Sequence, residues 1–88
     1  MPQTHNIDIT TMSFPADTRV AKGETVLWTN KMAMTHTVTA DEPPSPPVFD
    51  SGNLATNESF QHQFNANGTF AYHCQIHPAR MKGKVTVT

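Results

Sequence analysis

Short segments of alternating apolar and polar residues, separated by turn residues, run along almost the whole chain. Val26 and Trp28 fall on one face of such a segment, while Thr25, Leu27 and Thr29 fall on the other. A period of two residues is typical of β-strands with one buried face. The extended segments are residues 7–10, 19–21, 24–30, 35–40, 59–64, 69–74 and 83–88. The pattern predicts an all-β fold, an antiparallel β-sandwich of about seven to eight strands.

A proline-rich stretch at residues 41–47 divides this pattern. It holds four of the seven prolines, and a proline lacks the backbone donor that a central strand needs. Because each flank is too short to fold alone, we interpret the stretch as a stiff surface loop. Residues 49–54 then bring the chain back to the sandwich. We therefore expect residues 1–88 to form a single domain.

The single cysteine among 88 residues excludes an internal disulfide. Domains of this size bury a modest core and often need a disulfide or a metal for stability. The chain also has five histidines and five methionines, which with cysteine are the softer metal ligands of proteins. A metal is therefore the remaining candidate for such a stabilising element.

Charge and hydropathy exclude two classes of partner. Six basic against seven acidic residues give a net charge of −1, which is not the electrostatic pattern of a nucleic-acid-binding protein. No apolar run approaches the roughly 20 residues that a membrane-spanning helix needs. The N-terminal residues lack the features of a signal peptide.

Cys74, His77 and Met81 lie on a tight predicted loop between two strands. A second imidazole must come from elsewhere, and His36, early in an extended segment, is well placed to supply it. Two imidazoles, a thiolate and a weak thioether form the ligand set of blue-copper sites. Zinc more commonly takes four strong ligands, so a structural zinc site is the weaker alternative. We predict that one copper ion is bound by His36, Cys74, His77 and Met81.

Other side chains compete for two of these positions. Strand alternation directs His73 away from Cys74, His62 lies between two phenylalanines, and His5 lies near the terminus. We therefore prefer His36 as the second imidazole. The weaker candidates for the thioether are Met1, Met12, Met32 and Met34.

These residues resemble the cupredoxins, in particular the amicyanin and plastocyanin group. The resemblance covers nearly the whole chain, and the string Tyr72-His73-Cys74-x-x-His77-Pro78 is quite specific. It implies a Greek-key β-sandwich and a type 1 copper site in which Met81 is the weak axial ligand. The segments that carry the resemblance are residues 28–30, 34–38, 49–52, 68–74, 77–78 and 81–85.

The resemblance also implies a function. The protein is expected to be a small soluble electron carrier that cycles between Cu(II) and Cu(I), and not an enzyme. His77 would be the electron port, with Met34, Pro78 and Ala79 at its rim, where redox partners dock transiently. A monomer in the periplasm or another extracytoplasmic compartment is expected.

The sequence differs from the amicyanin and plastocyanin group at two places. Three residues separate His77 from Met81, whereas amicyanin-like loops usually have two and plastocyanin-like loops four. Thr37 follows His36 at a position where the group commonly has an asparagine that links the two ligand-bearing loops. A threonine hydroxyl can form the same kind of link.

Two other functions remain as alternatives. A copper chaperone or storage protein is suggested by the Met32-Ala33-Met34 segment, although such proteins tend to lack a thiolate ligand. An excised electron-entry domain of a multicopper oxidase or nitrite reductase would belong to a larger protein with further copper sites.

Overall fold

Seven strands in two β-sheets make up the computed structural model, which describes residues 3–45 and 47–88 and has no helix there. The first sheet has the strand order β1-β3-β5 and the second the order β2-β7-β6-β4. The strands are β1 (Thr4–Ile9), β2 (Thr18–Val20), β3 (Thr25–Asn30), β4 (Thr39–Ala40), β5 (Ser59–Gln63), β6 (Gly68–His73) and β7 (Lys82–Val87). The predicted all-β sandwich is confirmed. Nothing in the described residues is a helix long and apolar enough to cross a membrane.

The pairing of the strands is mixed and not purely antiparallel. Strands β3–β5, β4–β6 and β6–β7 are antiparallel, whereas β1–β3 and β2–β7 are parallel. The β1–β3 pair is parallel because the chain passes from β1 to β2 in the opposite sheet before it returns to β3. Two crossings between the sheets restore the original strand direction, which the alternation of side chains in the sequence does not reveal.

Trp28 lies at the centre of the core between the two sheets. Its side chain is fully buried, as expected from its place on the inward face of β3. The indole stacks on Phe49 and Phe60 at centroid distances of 5.7 and 6.0 Å and meets Tyr72 edge-on at 5.3 Å. Its Nε1–H donates to the Tyr72 hydroxyl at 3.3 Å. This cluster joins β3, β5 and β6 and so fixes the strand that leads into Cys74.

The segment predicted as a strand over residues 35–40 forms a regular strand only at Thr39–Ala40. Further back, His36 makes an isolated antiparallel bridge with Leu54, and Thr39 makes one with Asp50. All five residues from 36 to 40 are buried, because this segment is covered by the returning chain at residues 49–54. That return segment is placed as the sequence predicts.

The predicted proline-rich loop contains no strand in its described part, residues 41–45 and 47. Residues 41–45 are exposed, in agreement with a surface loop. Pro46 and the weaker ligand candidate Met1 lie outside the described residues.

His62 occupies an aromatic site at the edge of the core. It lies on the edge strand β5, with ring centroids 5.0 Å from Phe49 and 4.8 Å from Phe64. Burial lowers the pKa of His62 from its ordinary value of 6.5, because the charged ring loses hydration. Above pH 6.5 the imidazole is neutral in both the folded and the unfolded state. As the pH falls below 6.5, the unfolded chain takes up the proton before the folded protein does.

We therefore expect the free energy of unfolding to decrease as the pH falls below about 6.5 and to level off below the folded-state pKa. His62→Phe should make this decrease smaller, since the ring can no longer take up a proton. Urea unfolding of the copper-free protein at several pH values between about 7 and 5 measures it. An equal pH dependence in both proteins would contradict the assignment.

Candidate metal centre

His36, Cys74 and His77 form a compact cluster of metal-ligating atoms. One ligand atom from each lies within 4.8 Å of the other two. The Cys74 Sγ is 3.8 Å from the Nδ1 atoms of both His36 and His77. In the part of the chain that the structure describes, no other group of three His, Cys, Asp or Glu side chains is close enough to hold a metal.

His36 and Cys74 reach the cluster from two different loops. The His36 backbone pairs with Leu54 through N–H···O bonds of 3.2 and 2.8 Å, which fix the direction of its side chain. Cys74 directly follows β6, and its side chain is fully buried. His73 points to the opposite side, as predicted, and its Nδ1 lies 2.5 Å from the Asp41 carboxylate.

The loop from Cys74 to Met81 is folded by four backbone hydrogen bonds. The His77 carbonyl accepts from the N–H groups of Arg80 and Met81 at 3.1 and 3.0 Å. The Cys74 carbonyl accepts from His77 at 3.2 Å, and the Cys74 N–H donates to the Met81 carbonyl at 3.0 Å. The three residues between His77 and Met81 are thus accommodated in a single turn. Met81 returns to the base of the loop, where its side chain is fully buried.

Thr37 links the two loops directly. Its backbone N–H donates to the Cys74 Sγ at 3.4 Å, and its Oγ1 accepts from the Gln75 N–H at 2.8 Å. The Thr37 hydroxyl is 3.1 Å from the Thr39 hydroxyl, which donates to Asp50 at 2.9 Å. With every donor pointing the same way, this chain of hydrogen bonds runs from the ligand loop to a carboxylate. Thr37 therefore forms the predicted link between the loops.

The electrostatic surroundings favour a neutral His36 ring. Burial lowers its pKa, and the neighbouring His77 ring lowers it further. A neutral imidazole keeps a lone pair on one nitrogen, which is the form that binds a metal. Burial also keeps competing water away from the Cys74 sulfur.

The remaining histidines make other contacts. The His5 Nε2 lies 2.8 Å from Glu24, His73 contacts Asp41, and His62 packs among phenylalanines. None of the three belongs to the cluster, so the preference for His36 over them agrees with the structure.

The contacts of two residues near the cluster were not predicted from the sequence. Asn30 is fully buried at the end of β3, and its side-chain amide donates to the carbonyls of Met34 and Leu54 at 2.7 and 2.9 Å. The Met32 Sδ lies 3.3 Å from the Nε2 of His36. For Asn30, the signal in the sequence was an asparagine at the end of a predicted strand. The contact of Met32 with His36 depends on the path of the loop between them, which the sequence does not show.

The donor set fits a copper ion. Two imidazole nitrogens and one thiolate sulfur converge, with no carboxylate among them, and a buried thioether lies at the base of the same loop. Soft sulfur ligands favour Cu(I), and imidazole suits Cu(II). This combination therefore suits both oxidation states of copper better than it suits magnesium or calcium, which prefer oxygen ligands.

We expect Thr37→Val to destabilise the copper-free protein by about 1–3 kcal/mol, because the Gln75 N–H loses its acceptor while the side-chain shape is kept. Thr37→Ser is the matched control, since it retains the hydroxyl and should cost less. Urea unfolding of the three proteins measures the difference. Equal losses in both variants would show that the hydroxyl does not stabilise the ligand loop.

Comparisons with known proteins agree with this geometry. A family model described as copper binding proteins of the plastocyanin/azurin family matches residues 3–88. The plastocyanin of Scenedesmus fuscus is 33% identical over 81 residues, covering 83% of this chain and 83% of the relative. Amicyanin-alpha of Methylorubrum extorquens is 37% identical over 83 residues, covering 92% and 69% respectively.

Solved structures show the same architecture. Two structures of oxidised amicyanin mutants superpose with a TM-score of 0.87 at 28% and 30% identity. Each alignment covers 97% of this chain and 82% of the amicyanin chain. The match extends over both sheets and the cluster, which makes copper the metal of this site. The chain belongs to the plastocyanin/azurin family of copper-binding proteins.

Proposed function

We propose that His36, Cys74, His77 and Met81 together bind the copper ion of a one-electron carrier, in a single domain that spans residues 1–88. The protein is a small blue copper electron carrier and not an enzyme, like its plastocyanin and amicyanin relatives. The observation that supports the ligand assignment most directly is the convergence of His36, Cys74 and His77 within 4.8 Å.

The residues of the site supply a rigid set of donors. Bound copper would supply a centre that gains and loses one electron between Cu(II) and Cu(I). The loop hydrogen bonds around Cys74 and His77 and the Thr37 link hold the donors from several directions. Donors held in this way move little between the two oxidation states, and a small rearrangement favours rapid electron transfer.

Met81 is proposed as the fourth and weakest ligand. Its side chain is fully buried at the base of the ligand loop, and its backbone pairs with both Cys74 and His77. A thioether is a weak donor, and a weak axial donor tunes the reduction potential of a blue-copper site.

His77 is proposed as the electron port. It is only partly buried, whereas His36 and Cys74 have no exposed surface. Two large apolar side chains close in sequence to the histidine ligands are exposed, Met34 at 45% and Ile76 at 47%. Pro78 and Ala79 are exposed as well. We propose that these residues form a small apolar rim on which redox partners dock transiently.

We propose that the protein acts outside the cytoplasm, in the periplasm or a comparable compartment, as its amicyanin and plastocyanin relatives do. A chaperone or storage role is less well supported, because the Met32 sulfur faces the His36 ring. The monomeric state stays a prediction.

The ligand assignment predicts that Cys74→Ser abolishes the intense visible absorption that Cu(II) gives with a thiolate ligand. The oxygen of serine cannot replace the sulfur in this transition. The visible and EPR spectra of the copper-loaded variant measure the change, and His5→Gln should keep the blue colour as a control. A blue Cys74→Ser protein would refute the assignment.

Met81→Leu tests the weakest ligand in the same series. The variant should keep copper and the blue colour but have a higher reduction potential, because loss of the thioether destabilises Cu(II) more than Cu(I). Voltammetry measures the potential, and an unchanged value would show that Met81 does not bind the copper.

The docking rim predicts that Ile76→Lys slows electron self-exchange between oxidised and reduced copies by about tenfold or more, since two like charges then meet at the contact. Self-exchange has no driving force, so a change in potential does not confuse the result. NMR line broadening in mixtures of the two states measures the rate. Val48→Lys is the control, because Val48 is 42% exposed but lies beside Phe70, away from the cluster. Equal rates for wild type and Ile76→Lys would exclude Ile76 from the contact.

A further inference from the structure

The two nitrogens of the buried His36 ring face two different sulfur atoms. Nδ1 lies 3.8 Å from the Cys74 Sγ in the metal cluster, and Nε2 lies 3.3 Å from the Met32 Sδ on the other side. His36 has no exposed surface, so water is not at hand to bind Nε2. Among the described residues, the Met32 thioether is the hydrogen-bond partner of that nitrogen.

The backbone of Met32 is fixed on both sides of the residue. Its N–H donates to the Asn30 Oδ1 at 2.9 Å, and its carbonyl accepts from the Thr56 hydroxyl at 2.7 Å. The Asn30 amide is itself fixed by the carbonyls of Met34 and Leu54, and Leu54 pairs with the His36 backbone. One buried asparagine therefore fixes both the loop that carries Met32 and the return segment at Leu54 that pairs with His36.

The shorter of the two sulfur contacts, at Nε2, favours one form of the neutral ring over the other. A neutral imidazole has one N–H and one lone pair. If Nε2 carries the hydrogen, it donates to the thioether, and the lone pair of Nδ1 points into the cluster. If Nδ1 carries the hydrogen, the Nε2 lone pair faces the lone pairs of the sulfur, and the ring cannot donate to Met32 or accept a metal at Nδ1.

We propose that Met32 is a positioning residue that holds His36 as its Nε2–H tautomer and, as a weak acceptor, favours Cu(I) over Cu(II). The proposal rests on His36 being a copper ligand. A strong oxygen acceptor on the outer N–H raises the basicity of a ligating imidazole, which would stabilise Cu(II). A thioether is a weak acceptor, so it fixes the ring while adding little basicity.

The tautomer is tested on the copper-free protein. Long-range 1H–15N spectra of the histidine rings at neutral pH should show the hydrogen of His36 on Nε2 in the wild type. Met32→Leu should give a mixture of both tautomers, because the acceptor is lost at similar size. The positioning role would be overturned if the wild-type ring carried its hydrogen on Nδ1. It would also be overturned if Met32→Leu left the tautomer unchanged.

The redox effect is tested with Met32→Gln, which replaces the thioether with an amide oxygen at similar length. A tenfold stronger preference for Cu(II) would lower the reduction potential by about 59 mV, whereas Met32→Leu should not lower it. A general loosening of the loop would not produce this difference between the two variants. Met12→Leu is the control, since it removes a thioether that packs against the core.

The outcomes separate this proposal from the copper assignment. A wild-type protein without the thiolate absorption of Cu(II) would show that the proposed copper ligation itself is wrong. A blue wild type whose potential is not lowered by Met32→Gln would leave the ligation standing and overturn the redox role of Met32.

Discussion

The contact between Thr37 and the start of the ligand loop is the interaction on which the site depends. It joins segments that are 37 and 38 residues apart in sequence, through the Cys74 sulfur and the Gln75 N–H. His36 precedes one side of this contact, and His77 follows the other. The antiparallel pairing of β4 with β6, which places Thr39 opposite His73, holds the same two segments together beside this contact. The hydrogen bonds therefore place the imidazoles, and the metal binds to donors that the fold has already brought together.

The cluster also bears on how a chain of 88 residues with one cysteine is stabilised. The aromatic group around Trp28 and the sheet registers organise the core without the metal. At the cluster the chain buries the His36 ring and the Cys74 sulfur, which costs free energy unless these atoms find partners. Copper that is bound more tightly by the folded state than by the unfolded chain would add stability at this site.

Much of the fold and the site could be predicted because the relevant signals are local. The alternation around Trp28 marked a strand and its buried face, and Cys74, His77 and Met81 lie within a single loop. The parallel pairing of β1 with β3 could not be predicted, since it depends on a crossing between the sheets. The short extent of β4 depends on coverage by residues 49–54, and the contact of Met32 with His36 depends on the hydrogen bonds of Asn30. These are tertiary effects that no spacing of residue types encodes.

The spacing between His77 and Met81 shows how loop length and ligand geometry can be separated. The turn closed on the His77 carbonyl takes up the intervening residues, so Met81 still returns to pair with the Cys74 N–H. Because both ends of the loop are fixed at this pair, a change in loop length alters the exposed turn near Arg80 more than it alters the base. The positions of the buried donors at the base, Cys74 and Met81, then depend little on the length of the turn. The exposed side chains of the loop, such as Ile76, lie outside this buried base.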